Sequence, residues 1–296
     1  MKSVYEAYPE LWKGFDRPEL KALLSSVSCV KFPAEATDLI AVKSVPHTVV
    51  VVSNATLKQI AEVIALGFEH VIQAERPDFP QELLAASLMA ARFEAFVHNP
   101  IPFFFTGFRD PAQTKSVDAN LAVHFTGSTE KVEIIEKLTD FLSQQPKLLA
   151  VADLCIQAAD EMLSNAMYSA PTDSSGAHIF QEFDRSTTAS YPPGKQGTLF
   201  ASYSDYRVVV GVEDPFGSVD KAKFWQHLTA VMEPGAIAAK RTAGGAGLGI
   251  RFMIDNAANF YVYSDKKKRT VFACGFLLKG VKANLNVNKH MHCSFR

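Results

Sequence analysis

Along the first third of the chain, short β-branched runs alternate with segments whose apolar residues recur every three or four positions. Residues 47–54 (HTVVVVSN) read as a buried strand running straight into 55–66, where Leu57, Ile60, Ala61 and Ile64 share one helical face. Gly67 stops that helix, a second strand follows at 68–72, and Arg76-Pro77 leads to a helix over about 80–93. Strands alternating with helices of this length predict an α/β layer fold with a parallel sheet.

The pattern then changes. Residues 97–118 carry Pro100, Pro102, Pro111 and the run Phe103-Phe104-Phe105, and read as a linker whose aromatic patch packs on a neighbouring element. Beyond it come a strand at 121–125, a helix capped by Ser128 or Thr129 and running through Leu142, and a helix over 151–169 closed by Pro171. In this last helix Val151, Leu154, Cys155, Ala158, Ala159, Met162, Leu163, Ala166 and Met167 make a wide apolar stripe. Gln157, Glu161, Asn165 and Ser169 recur every four residues on another face, a spacing that stacks them one turn apart. Taken alone, such a row is the solvated edge of an amphipathic helix.

Between 171 and 197 the chain turns to Pro, Ser, Thr, Asp and Gly, a long loop or irregular hairpin. Strands at 198–203 and 207–213 end abruptly in Asp214-Pro215-Phe216-Gly217, and a helix spans about 220–232. Ala243-Gly244-Gly245-Ala246-Gly247-Leu248-Gly249-Ile250 opens another helix, through Ala257. Two strands, 260–264 and 269–278, close a hairpin around Lys266-Lys267-Lys268-Arg269, and 281–296 reads as a peripheral tail.

Composition narrows the function classes. A chain of 296 residues, 48% hydrophobic and 21% charged, holds about two domains. A net charge of −1 provides no field to draw in nucleic acid or an anionic membrane, and no apolar run reaches the ~18 residues of a membrane span. The four cysteines lack any C-x-x-C pair, which indicates neither zinc nor a disulfide framework and fits a reducing cytoplasm. The expected division is 1–96, linker 97–118, 119–280 and tail 281–296.

The succession at 47–93, with Leu66-Gly67-Phe68-Glu69-His70-Val71-Ile72, then Pro77, then Gln81-Glu82-Leu83-Leu84, resembles the second half of a response-regulator receiver domain. A working receiver needs an acidic pair, a phosphoacceptor Asp and a Lys before the Pro, whereas here Glu75-Arg76 precede it and no acidic pair follows the first strand. The resemblance therefore implies a degenerate receiver-like domain that docks or senses.

Residues 118–278 resemble the GHKL ATP-binding domain shared by gyrase, heat-shock chaperone ATPases, mismatch-repair ATPases and histidine kinases. Glu161-x-x-x-Asn165-Ala166 is similar to its first box, Asp214 to Gly217 to its second, Gly245-x-Gly247-Leu248-Gly249 to its third, and Thr270 to its closing threonine. One strand and one helix before the box-bearing helix most resemble the anti-sigma-factor serine kinases. The resemblance implies an α+β sandwich ATPase domain that binds ATP and Mg²⁺. Asn165 would bind Mg²⁺ and Glu161 would accept a proton from the attacking hydroxyl or water. Asp214 would take adenine's amino group, which guanine lacks at that position, Gly217 would let the base approach the backbone, and Thr270 would hold adenine through its hydroxyl. Gly245, Gly247, Leu248 and Gly249 would bend the lid around the phosphates, with Lys240 and Arg241 beside it. Two departures stand out: the second box is Asp-x-x-Gly instead of Asp-x-Gly, and the 171–197 loop, with Asp184-Arg185, is longer than the family needs.

None of the eight histidines is followed by an acid, and no two-helix hairpin precedes the ATP-binding segment, which argues against histidine autophosphorylation. The resulting expectation is a cytoplasmic protein serine/threonine kinase or ATP-dependent switch that acts on a regulatory protein of the sigma-factor or antagonist type. The alternative is a nucleotide-binding regulator without turnover. A homodimer stays open; nucleic acid and membrane do not enter.

Overall fold

The computed structural model describes residues 2–13, 17–32, 47–104, 121–180, 183–204, 206–232, 246–278 and 289–296, with backbone alone at 102 and 246–248. The chain divides into two compact units, Met1–Asp118 with Asn288–Cys293, and Ala119–Val287 with Ser294–Arg296. Helices and strands are mixed in both.

In the first unit, β1 (Lys2–Ser3) lies antiparallel to β2 (Ser28–Phe32), and β2, β3 (Thr48–Val52) and β4 (His70–Gln73) run parallel in sequence order. Every residue of β3 is buried, as its unbroken valine run demands of a strand covered on both faces. Helix α1 (Pro18–Ser26) precedes β2, α2 (Leu57–Ala65) links β3 to β4, and α3 (Phe79–Ala91) follows β4. Thr56 caps α2 by accepting the Gln59 N–H while Gln59 reaches back to Thr56, and Gly67 ends it at φ +100°. The strand–helix–strand–Pro–helix succession expected over 47–93 is present. Of the aromatic patch of the expected linker, Phe104 is buried, Phe103 and Phe104 both meet Phe96 edge-on within this unit, and Phe105 lies outside the described residues.

The expected peripheral tail is not peripheral. Its described end is the strand His290–Phe295, and Met291 and His292 pair antiparallel with Val71 and His70 of β4. A buried polar cluster accompanies that pairing. Arg76 grips both Asp78 oxygens at 2.8 and 2.6 Å, His290 Nε2 stands 3.3 Å from Asp78, and His290 Nδ1 accepts the Gln73 N–H at 3.1 Å. His292 Nε2 lies 2.9 Å from Glu82, with its Nδ1 3.1 Å from that of His70. Burial and the nearby Arg76 push His290 down to about 4. Burial raises the Asp78 carboxyl, but His290 and Arg76 more than reverse that and hold it well below the usual carboxylate range. These polar side chains fill a core because they satisfy one another.

The second unit is an antiparallel sheet in the order β5 (Leu121–Phe125), β6 (Gly197–Tyr203), β7 (Arg207–Asp214), β9 (Arg269–Leu277), β8 (Asn259–Asp265). Helix α4 (Lys131–Ser143) follows β5, and α5 (Ala152–Ser164) packs on β7 and β9. Helix α6 (Lys221–Met232) seats Phe224, Leu228 and Met232 inward, and α7 (Ala246–Asn256) contacts both α5 and α6. Burying side chains such as Met162, Leu163 and Leu228 contributes roughly 1.5–3 kcal/mol each, well above the few tenths that distinguish ordinary residues by helix propensity. Packing, more than propensity, therefore fixes α5 against the sheet. The β8–β9 hairpin turns through Lys266, Lys267 and Lys268, as expected, with Lys267 at φ +63°.

Candidate functional site

The 151–169 helix is made of three pieces. A 3₁₀ segment, Pro146–Val151, leads into α5, and α5 passes into a π-helical turn, Asn165–Ser169, closed by the Ala170 N–H donating to the Asn165 carbonyl at 2.9 Å. Ser164 Oγ donates back to the Asp160 carbonyl at 2.8 Å, a bond that bends helices. Pro171 then has no N–H with which to continue the ladder. Such π-turns favour functional sites because they re-aim the side chains around them.

The long loop holds this turn. Tyr191 O–H donates to the Ala166 carbonyl at 2.9 Å, and Tyr168 O–H points at the Arg185 and Thr187 carbonyls at 2.7 and 3.0 Å. The Tyr191 ring meets Phe216 edge-on at 4.9 Å, and Lys195 Nζ donates to the Pro215 carbonyl at 3.0 Å. The extra loop length thus ties the end of α5 to the Asp214–Gly217 turn.

Between these elements lies a cavity of about 300 Å³. Asn165 and Ser169 enter it from the end of α5, Asp214 from the end of β7, His178 from the loop, Lys223 and His227 from α6, and Ile250 from α7. Met162, Val212, Phe224 and Phe272 supply apolar wall. A concave, mostly apolar space with a few convergent polar groups is the form of a small-molecule site.

Asp214 is the buried charge-bearing group of this cavity. Its carboxylate accepts the Phe216 N–H at 2.9 Å, so Pro215 and Phe216 form an Asx turn. Burial pushes its carboxyl up to about 7 despite hydrogen bonds from the Phe216 and Gly217 N–H groups and Thr270, with Glu213 adding a further upward push. Thr270 lies directly opposite Asp214 in the β7–β9 register. Its hydroxyl hydrogen-bonds the carboxylate, and Thr270 is not among the residues of the cavity wall.

Asn165 Oδ1 and Glu161 Oε2 are both buried with no hydrogen-bond partner among the described residues. An unpaired buried oxygen costs about 1–3 kcal/mol, so each marks a place where a ligand or ion would be welcome. Glu161 is not on the cavity wall; it lies against Gly249, where any Cβ would run into its carboxylate. Glu161 of the first sequence motif is thus in direct apposition to Gly249 of the third. Gly217 is a correction to expectation: it lines the neighbouring cavity instead of this one. It is glycine because φ is +59° and a Cβ would overlap the Asp265 carbonyl, with Lys267 N–H donating to the Gly217 carbonyl at 3.1 Å. Gly247 and Leu248 fall in the first turn of α7, while Gly245, Lys240 and Arg241 lie outside the described residues.

No protein-family model and no curated protein matches the chain. The site must be read from its own chemistry. A buried acceptor at Asp214 suits a heterocycle with an exocyclic amino donor, and the apolar wall suits its ring faces. Among the described residues no three His, Cys, Asp or Glu side chains form a metal cluster. A divalent cation here would thus depend on the Asn165 amide oxygen together with oxygens of the ligand, the arrangement that suits Mg²⁺. Sequence reading missed His178, Lys223 and His227; the sole signal for the last two was their one-turn spacing on an expected helix.

Proposed function

We propose that the second unit is a Mg-ATP-binding domain of the GHKL type, nearest the anti-sigma-factor serine kinases, and that it phosphorylates a regulatory protein on serine or threonine. The observation that carries this reading is the convergence of Asn165 and the buried Asp214 on one cavity, with Glu161 set against Gly249 one helical turn from Asn165. Asp214 accepts the adenine amino hydrogen, which guanine, with a carbonyl at that place, does not supply. Asn165 holds Mg²⁺, which when bound neutralises charge on the phosphate oxygens. Glu161 takes the proton from the attacking hydroxyl as its oxygen bonds to the terminal phosphorus and the bond to the bridging oxygen breaks, releasing ADP. The first unit serves as the receiver-like docking or sensing module, and a sigma-factor or antagonist type protein is the partner class.

The alternative, a nucleotide-binding regulator without turnover, is favoured by the altered second box, since Gly217 faces the β8–β9 hairpin and not the cavity. Substitution of Asn165 by Ala separates metal from base recognition. In titrations with and without Mg²⁺, the metal's enhancement of ATP affinity is expected to disappear in Asn165→Ala while weak metal-free binding persists. An unchanged Mg²⁺ effect would remove Asn165 from the metal site.

A further inference from the structure

Two polar rows line the cavity. One, from the end of α5, is Asn165 and Ser169; the other, from α6, is Asp220, Lys223 and His227. The second row follows from the helix itself. With Phe224 and Leu228 turned inward, the residues immediately before them, Lys223 and His227, are one turn apart and lie about 100° around the helix from that buried stripe. His227 Nε2 is buried and has no hydrogen-bond partner among the described residues. Lys223 is exposed, and its ammonium has no carboxylate within ion-pair distance among them. The nearest acid in sequence, Asp220, caps α6 by accepting the Lys223 backbone N–H at 2.9 Å, and the Lys223 charge is among the causes that hold its carboxyl below the usual range.

Charge gives this row its direction. Among the described residues of the wall, Lys223 is the single Lys or Arg, set against the carboxylates of Asp214 and Asp220. It also borders the adjoining cavity, where Lys221, Lys266, Lys267 and Arg296 stand. The ligand's anionic part is therefore drawn to the Lys223 side, and its uncharged amino-bearing ring to Asp214. A compact ammonium on a flexible stem suits a phosphate oxygen, and a buried imidazole nitrogen suits a single hydroxyl.

Resting on the nucleotide reading above, we infer that α6 carries the sugar–phosphate subsite of this cavity: Lys223 pairs with a phosphate of the nucleotide and His227 hydrogen-bonds a ribose hydroxyl. The helix thus sets how much of the ligand beyond the base is recognised.

The test uses the full chain and compares adenine, adenosine, AMP and ATP by calorimetric titration against wild type, Lys223→Met, Lys223→Arg and His227→Phe, with thermal melts to establish folding. Lys223→Met is expected to weaken ATP and AMP about tenfold or more while leaving adenosine within about twofold, and Lys223→Arg to restore most of the loss. His227→Phe is expected to weaken adenosine about five- to tenfold relative to adenine. If wild type discriminates ATP from GTP but Lys223→Met keeps the wild-type ratio of ATP to adenosine affinity, the Lys223 assignment is wrong and the nucleotide site stands. An unchanged adenosine-to-adenine ratio in His227→Phe overturns the His227 assignment in the same way. Should His227→Phe fail to fold, His227→Gln, which keeps a polar group able to bond the hydroxyl, must hold adenosine near wild-type affinity. If wild type binds none of the four ligands, both the subsite and the nucleotide reading fall.

Discussion

Asp214→Asn is expected to stabilise the protein above neutral pH and, on the nucleotide reading proposed above, to abolish the preference for adenine. The Asp214 carboxyl is raised from 3.8 to about 7 by burial, partly offset by its hydrogen bonds. Because the folded value is the higher one, the native state holds a proton that the unfolded chain has already released between about pH 4 and 7. Stability is therefore lost as pH rises through that window, and above it the penalty for a buried anion stays constant. A shift of this size corresponds to about 4 kcal/mol at most. Asparagine keeps an oxygen for the Phe216 and Gly217 N–H groups but carries no charge, so its melting temperature at pH 8 rises and its stability profile between pH 4 and 7 flattens. On the nucleotide reading the same change would place an amide donor beside adenine's amino donor, and affinity for adenine nucleotides is expected to drop about 100-fold. Thermal melts from pH 4 to 9 check the first outcome; a variant less stable than wild type at pH 8 would contradict the account of Asp214. Gain of stability with loss of binding is the usual mark of a strained functional group.

Glu161→Gln is expected to lower phosphate transfer or release by about 10²- to 10⁴-fold, the range of a lost general base, while ATP affinity stays within about threefold. The amide matches the carboxylate in shape, so the contact with Gly249 persists and only proton acceptance is removed. Single-turnover measurements keep binding and chemistry apart. A wild-type rate in Glu161→Gln would favour the regulator without turnover. Gly249→Ala provides a second approach, since its methyl must displace the Glu161 carboxylate.

Much of the second unit was readable because its signals are local. The four-residue spacing of Glu161 and Asn165 survives in α5 and its π-turn, and Asp214 sits at a strand end where Pro215 stops the ladder. Thr270 could be paired with Asp214 only through register across β7 and β9, two strands more than fifty residues apart in the chain that no hairpin turn joins. Lys223 and His227 were hidden for a different reason: a Lys and a His beside a Phe224–Leu228–Met232 stripe look like the wet edge of any amphipathic helix. Only the cavity opposite them gives that edge a meaning. Gly217 read as a base-binding glycine, yet its demand for glycine comes from the Asp265 carbonyl, some fifty residues later in the chain.

From sequence the strand His290–Phe295 reads as tail because its period-two pattern places His290, His292 and Ser294 where a strand normally faces water. These side chains are buried because Asp78, Glu82 and His70 meet the two histidines from over 200 residues away, a pairing no local pattern carries. Non-local satisfaction of polar groups is the part of a core that hydrophobic periodicity does not see.

Calorimetric titration of the full chain with Mg-ATP against Mg-GTP tests most directly the proposed adenine-specific, magnesium-dependent nucleotide site in the second unit. Saturable ATP binding, weakened when Mg²⁺ is removed and at least tenfold tighter than GTP, is the predicted result. Equal affinity for the two nucleotides, or no binding of either, would contradict it.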